Sequence, residues 1–382
     1  MGLKINFFKR FFLYFLSTVE KIIFTKKNFT VKKNTLLILR LDSIGDYVLF
    51  RNFIKEIKES EKYKNYEIIL CGNSWWKLLS ENLDIKYITK FIWVEYGKMN
   101  EVSYRCSIYR KIRKLNCELL IHPTYSRCSV SDELVFKSGI KNCIGYDGDE
   151  TNLTLPQKVK YDKIYSQLIP ATTKYLFEFY RNLDFFENLL SKKIHINSPS
   201  IKFVSIEEST VLICPGAKDS FRRWSPENFI ELCEQLKIEY HFKSFIICGS
   251  DLDKDISLKI IDNSKLEFIN LTGKLNLLEL LEAMSKANLI ITNDSGPFHI
   301  AVALNKKTVC ISNGNNYGRF TPYPKAMNKK SFVVYPKELS NLKTENERLN
   351  IYAKHGSKLD INTIQVSEVM NAIKNNLMQS QA

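Results

Sequence analysis

This 382-residue chain predicts two consecutive α/β domains, each a parallel sheet with helices on both faces. Three observations lead there. Short apolar runs alternate with helical patterns, as an open parallel sheet covered on both sides requires. The alternation breaks once, near residues 185–205, at Ser191-Lys192-Lys193 and Asn197-Ser198-Pro199-Ser200, and then restarts. Length and a hydrophobic content of 45% allow more than one sizeable core.

The first run, Thr35–Leu41, is apolar without polar alternation, the mark of a strand buried on both faces. A turn, Asp42-Ser43-Ile44-Gly45-Asp46, leads into a helical pattern over Tyr47–Ser60. Strands follow at Glu67–Gly72, Phe91–Val94 and Glu118–His122, with a helix over Ser103–Leu115. After the break, strands are expected at Val211–Cys214, Phe245–Gly249, Leu289–Thr292 and Thr308–Ser312. The helices of this half are Pro226–Leu236, Leu277–Ala287, His299–Leu304 and a last one over Val366–Leu377. The expected organisation is a basic N-terminal segment (1–30), two Rossmann-like domains (31–195 and 196–350) and a helical segment (351–382). Two such domains place a ligand cleft between their facing strand ends.

The formal charge of +15 is uneven: residues 1–200 hold 33 Lys and Arg against 21 Asp and Glu. Such a balance suits an anionic partner or reflects a lysine-rich composition throughout. Nucleic acid would also fit the charge, but no binding motif for it is present. Nine cysteines without CxxC or ligand-like spacing point to neither a disulfide framework nor a zinc site, and fit a reducing cytosol. No apolar run reaches the roughly 18–20 residues that cross a bilayer. Phe8, Phe12, Phe15, Val19 and Ile22 recur at helical spacing beside Lys9, Arg10 and Lys21, without a small-residue cleavage site. That pattern reads as a peripheral membrane anchor or as a helix docked on the protein itself.

Four stretches carry chemistry. In Asp42–Asp46, Gly45 permits close backbone approach, and Asp46 either caps the next helix or serves as an active-site base. In Cys214–Pro226, a strand runs into a Gly turn and then Lys218, Arg222 and Arg223. Three cations at a strand end suit a diphosphate, or form a solvated basic loop. Asp251-Leu252-Asp253, just past a strand, can contact ribose hydroxyls, cap a helix or hold a metal; capping is favoured over metal. The most informative stretch is Asn293–Ala303, where a strand, a turn and a helix N-terminus bring backbone N–H groups, Asp294, Ser295, Gly296 and His299 to one spot. The loop Gly314–Pro324 either lines the cleft or connects elements.

In order, Leu41-Asp42-Ser43-Ile44-Gly45-Asp46, Pro215-Gly216-Ala217 with Arg222-Arg223-Trp224-Ser225-Pro226, Leu271-Thr272-Gly273 and Asn293–Ala301 resemble glycosyltransferase family 9, the heptosyltransferases of lipopolysaccharide assembly. The resemblance covers about residues 35–325. It implies a GT-B fold with the acceptor on the first domain and a nucleotide sugar on the second. It further implies inverting, metal-independent and cofactor-free transfer, commonly from ADP-heptose, to a lipopolysaccharide or related glycan. Matched by motif, Asp46 is the candidate general base, and Asp42, Ser43 and Gly45 form the acceptor-side loop. Lys218, Arg222, Arg223, Asp253, Asp294, Ser295, Gly296 and His299 are the candidate donor-binding residues. Arg222 stands where the family often has Lys, Ser295 where it has Thr, and Phe298 where Met or Leu is commoner. The setting so implied is cytoplasmic, at the inner face of the inner membrane. Two rival readings remain: a GT-B-like nucleotide-sugar epimerase and a non-catalytic nucleotide-sugar-binding protein. A nicotinamide dehydrogenase is disfavoured, because the first turn carries one glycine rather than GxGxxG.

Overall fold

The computed structural model describes residues 30–172, 177–344, 346–348 and 357–377. The aromatic, basic N-terminal segment therefore lies outside the described residues, apart from residue 30. Two six-stranded, wholly parallel sheets form the molecule. The first contains β1 (Lys32–Arg40), β2 (Glu67–Asn73), β3 (Lys90–Val94), β4 (Cys117–His122), β5 (Asn142–Tyr146) and β6 (Gln167–Ile169). The second contains β7 (Glu208–Cys214), β8 (Ser244–Ile247), β9 (Phe268–Asn270), β10 (Ala287–Asn293), β11 (Thr308–Ile311) and β12 (Ser331–Val334). Spatial orders β3-β2-β1-β4-β5-β6 and β12-β11-β10-β7-β8-β9 are the same doubly wound order run in opposite senses.

Burial on both faces explains the continuous apolar runs. Within β1, Leu36 and Ile38 pack into one core and Leu37 and Leu39 into another, the period of two that a strand imposes. In the second sheet Leu212 and Ile290 face the first of these cores, while Ile213 and Ile291 face a third. The core shared by both domains is filled largely from α1 (Ile44–Phe50), α2 (Glu178–Leu190) and α5 (Gly296–Ala303). Phe53 and Phe186 stack there at 5.2 Å between ring centroids. Every residue from Phe298 to Ala303 is buried, so α5 is apolar all round, as a helix enclosed between two domains must be.

Between these lie α3 (Pro226–Tyr240) and α4 (Leu277–Lys286). Ser225 Oγ accepts from Asn228 N at 3.3 Å and Pro226 opens α3, the expected cap and first-turn proline. The final helix, α6 (Val366–Leu377), packs on α3, β11 and β12, and its Val369 and Ile373 join the outer core of the second sheet.

The structure corrects two helix starts. α1 begins at Ile44 rather than Tyr47, and α5 at Gly296 rather than His299. A helix's first turn leaves its N–H groups unpaired, so glycine and proline there cost little and do not delimit the helix. The break between domains begins only at Ser191, because α2 continues through Leu190. β5, β6, β9 and β12 were not foreseen: three to five residues carry too little periodicity to be read.

Candidate active site

A ligand crevice in a doubly wound sheet opens beside the strand pair where chain direction reverses. Here those pairs are β1 and β4 in one sheet and β7 and β10 in the other. The loops that follow them hold Asp42–Asp46, His122–Arg127, Pro215–Arg223 and Asp294–Ser295. Three of the four are the stretches singled out from sequence.

On the first side, Asp46 sits in the first turn of α1. Its Oδ2 accepts from Ser43 N at 3.2 Å and Ser43 Oγ at 2.6 Å, a capping box. This fixes its rotamer and leaves Oδ1 free of any described hydrogen bond. Asp42 turns the other way, 2.9 Å from Nε of Arg40. Burial lifts the Asp42 carboxyl to about 7, despite the opposing pull of Arg40 and with a further push from Asp46. Arg40 is fully buried and also reaches Asn182 Oδ1 (2.7 Å) and Glu178 (3.5 Å). The backbone turn is held from behind: Trp76 Nε1 and Asn73 Nδ2 donate to the Asp42 carbonyl at 3.1 and 3.4 Å.

On the second side, Arg222 donates to the Asp294 carbonyl, and its Nη2 lies 3.5 Å from the Asp294 carboxylate. Asp294 Oδ2 also accepts from Asn316 Nδ2 (3.1 Å) and Ser312 Oγ (3.3 Å). Asp294 thus orients the Arg222 guanidinium, which is the group able to meet an anion. Arg223 bends back, its Nε donating to the Ala217 carbonyl at 2.7 Å and its Nη2 standing 3.9 Å from Asp253. Lys218 is exposed and has no ion-pair partner among the described residues. Asp253 closes a capping box with Ser250, both donors at 2.8 Å, which accounts for one oxygen of the DxD sequence. Gly216 faces this carboxylate so closely that a Cβ there would lie 2.2 Å from Asp253 Oδ1. Among the described residues no three His, Cys, Asp or Glu side chains gather as a metal site would need.

At the N-terminus of α5, Ser295 Oγ turns back to the Asn293 carbonyl (3.4 Å), and no described side chain caps the helix. The Gly296 N–H and the helix dipole therefore face the crevice. His299 sits one turn in. Its Nδ1 pairs with the Tyr323 hydroxyl at 2.8 Å, and burial depresses its pKa to about 4, with Arg222 adding to the effect and Asp294 opposing it. The imidazole is thus neutral at physiological pH and offers a hydrogen bond rather than a charge.

The two sides touch. A Cβ on Gly45 would lie 2.6 Å from His299 Cδ2, and one on Gly296 would lie 3.4 Å from Ile44 Cβ. Only glycine at position 45 lets the Asp46 turn abut the α5 imidazole. The Gly314–Pro324 loop, left open by its residues, lines the cleft: Asn316 reaches Asp294 and Tyr323 reaches His299. Its Arg319 crosses to the first domain, donating to Glu178 Oε2 (3.0 Å) and Ser126 Oγ (2.7 Å). Sequence reasoning missed the roles of Arg319, Glu178 and Ser126. One available signal was that Ser126 follows β4 at the switch point.

Two doubly wound domains whose switch-point loops meet across a cleft define the GT-B architecture. The fold matches the family 9 glycosyl transferase of Veillonella parvula DSM 2008 at TM-score 0.70 and 16% identity, over 92% of this chain and 99% of that one. It matches E. coli ADP-heptose lps heptosyltransferase II at TM-score 0.65 and 17% identity, over 91% and 100%. The sequence model of glycosyltransferase family 9 (heptosyltransferase) matches residues 110–349, and the chain belongs to that family. Lipooligosaccharide heptosyltransferase 2 of Haemophilus ducreyi is 33% identical over 129 residues, 32% of this chain and 35% of that protein. The protein of that name from Campylobacter jejuni serotype O:6 is 22% identical over 293 residues, 73% of this chain and 82% of its own length. The alignments to the two Haemophilus proteins of that name span only about a third of their lengths, 35% and 37%. The Asp42–Asp46 loop lies ahead of the stretch matched by the family model.

Proposed function

We propose that this protein is an inverting, metal-independent glycosyltransferase that moves heptose from ADP-heptose to a lipopolysaccharide or related glycan acceptor. The observation that carries the reading is the contact of Gly45 with His299, which brings a carboxylate on one domain against an anion-binding helix start on the other. One solved neighbour, E. coli heptosyltransferase WaaC, is described with ADP; it matches at TM-score 0.66 and 12% identity over 90% of this chain and 99% of that one.

The chemistry follows from the groups present. An acceptor hydroxyl is a weak nucleophile at neutral pH, and Asp46 takes its proton as the oxygen attacks the anomeric carbon. The bond from that carbon to the diphosphate oxygen breaks on the opposite face, inverting the centre. Charge that develops on the departing diphosphate meets Arg222, Lys218, Arg223 and the Gly296 N–H, with His299 as a neutral hydrogen-bonding partner. Ser295 and Asp294 shape that cradle, and Asp253 keeps an oxygen for the nucleoside. Engagement of Asp253 by Ser250 supports cationic side chains as the counter-charge. Asp42 and Ser43 hold the acceptor-side turn; neither a cofactor nor nucleic acid has a part in the reaction.

Residues 1–30 are proposed to bind anionic lipid at the cytoplasmic face of the inner membrane, where such an acceptor is built; their spacing supports this. No described helix is long and apolar enough to cross a membrane. Flotation with anionic liposomes tests the anchor: a chain lacking residues 1–30 stays at the bottom of the gradient, whereas equal flotation of both chains refutes it. A thermal-shift screen over ADP, UDP and GDP tests the donor, since a ligand of the folded state alone raises the melting point. ADP is expected to give the largest rise; the reaction is then followed with ADP-heptose, alone and with acceptor. Isomerised donor in the absence of acceptor would instead identify an epimerase.

A further inference from the structure

We propose that Arg319 is a positioning residue that latches the second domain onto Glu178 and Ser126, so that nucleotide binding at Arg222 and Asp294 sets the acceptor side of the cleft. The inference rests on the reading of this cleft as a donor and acceptor site.

Three residues of one loop make three different contacts. Asn316 holds Asp294, which orients Arg222; Tyr323 holds His299; Arg319 leaves its own domain. Besides its two side-chain bonds, the Arg319 carbonyl accepts from Glu178 N at 2.8 Å. Its guanidinium lies within electrostatic reach of Asp46 and Asp149. Glu178 is 2% exposed and already has the first domain's Arg40 and Arg181 at 3.5 and 3.8 Å. Its charge is therefore compensated before the second domain arrives. Arg319 adds a third cation, partly exposed, whose loss leaves no bare buried carboxylate. A residue dispensable for folding one domain, yet bonded across the cleft, is suited to closure rather than to stability. The same Glu178 faces Arg40, which holds Asp42, so the contact reaches the turn that carries Asp46.

The test is amide hydrogen exchange of the full chain with and without ADP, with Arg319→Ala and Arg319→Lys as variants. In the wild type, ADP is expected to protect both 314–324 and, across the cleft, 177–182. In Arg319→Ala the protection of 314–324 stays while that of 177–182 falls by about 10-fold or more, the scale of a lost charge-assisted hydrogen bond. Arg319→Lys restores part of it, and its melting point and that of Arg319→Ala stay near the wild type. Transfer assays then show a lower kcat with the donor KM unchanged. Undiminished protection of 177–182 in Arg319→Ala overturns the proposal, as does an ADP effect confined to 314–324 in the wild type. If the exchange pattern holds but no heptose is transferred, the latch stands and the proposed reaction falls. If neither ADP, UDP nor GDP protects 314–324, both fall.

Discussion

Replacing Gly45 with alanine probes the contact on which the site depends. Its Cβ would stand 2.6 Å from Cδ2 and 3.2 Å from Nε2 of His299, inside ordinary van der Waals distance. The imidazole has little room to retreat: Tyr323 pins Nδ1, and the rings of Phe298, Phe320 and Tyr323 lie with centroids 5.6, 6.1 and 5.8 Å away. Overpacking of this kind costs about 1–3 kcal/mol. Helix propensity works in the opposite direction, by up to about 1 kcal/mol in favour of alanine. The clash lies between domains, so a small opening of the cleft relieves it without unfolding either one. The net cost should therefore fall on closure. Transfer efficiency, kcat/KM, is expected to drop about 5- to 100-fold, while the melting point moves by no more than about 3 °C. Steady-state transfer kinetics and scanning calorimetry read the two quantities separately. An alanine variant that melts higher and transfers at the wild-type rate would show that propensity alone operates and that the domains do not meet as described.

Two further outcomes follow from the same geometry. His299 is neutral in the fold, with its pKa lowered from 6.5 to about 4, so the unfolded chain binds the extra proton between those values. Its contribution is complete above pH 6.5 and is lost as the pH falls to about 4, some 3 kcal/mol in all. Urea unfolding at pH 7.5 and pH 5 should show a steeper acid loss in the wild type than in His299→Gln; equal slopes would contradict the burial argument. Asp42, raised to about 7, gives the opposite slope between 3.8 and 7, which is why the comparison needs the variant. Arg222→Met should weaken ADP binding about 10- to 100-fold by calorimetry, the range for one charge-assisted bond to phosphate. Unchanged affinity would remove Arg222 from the donor cradle.

Much of the fold was legible because buried parallel strands leave long apolar runs. Val211–Cys214, Leu289–Thr292 and Thr308–Ser312 were placed within a few residues of β7, β10 and β11. The residues proposed to bind the donor could be placed at one sheet edge for the same reason: Asp294 and His299 follow β10, and Arg222 follows its neighbour β7. Arg319 was not legible. It projects from a Gly- and Asn-rich loop past the end of β11, and its partners lie far back in the chain: Glu178 on α2, 141 residues earlier, and Ser126 in the loop after β4, 193 residues earlier. Nothing in local spacing encodes such a crossing. Glu178 was hidden likewise, since the first turn of α2 reads as an ordinary acidic helix start. Asp46 shows the remaining gap. Sequence left capping and catalysis as alternatives, and the structure realises the cap through Oδ2 while Oδ1 has no described hydrogen bond.

In the proposed reaction Asp46 accepts the acceptor's proton while the second domain grips a nucleotide sugar. Mass spectrometry of an inner-core lipopolysaccharide acceptor after incubation with ADP-heptose, using wild type and Asp46→Asn side by side, tests it most directly. The expected result is an acceptor heavier by a single heptosyl group with the wild type and an unchanged acceptor with Asp46→Asn, although both chains bind ADP equally. An acceptor left unmodified by the wild type, or modified at the same rate by Asp46→Asn, would contradict it.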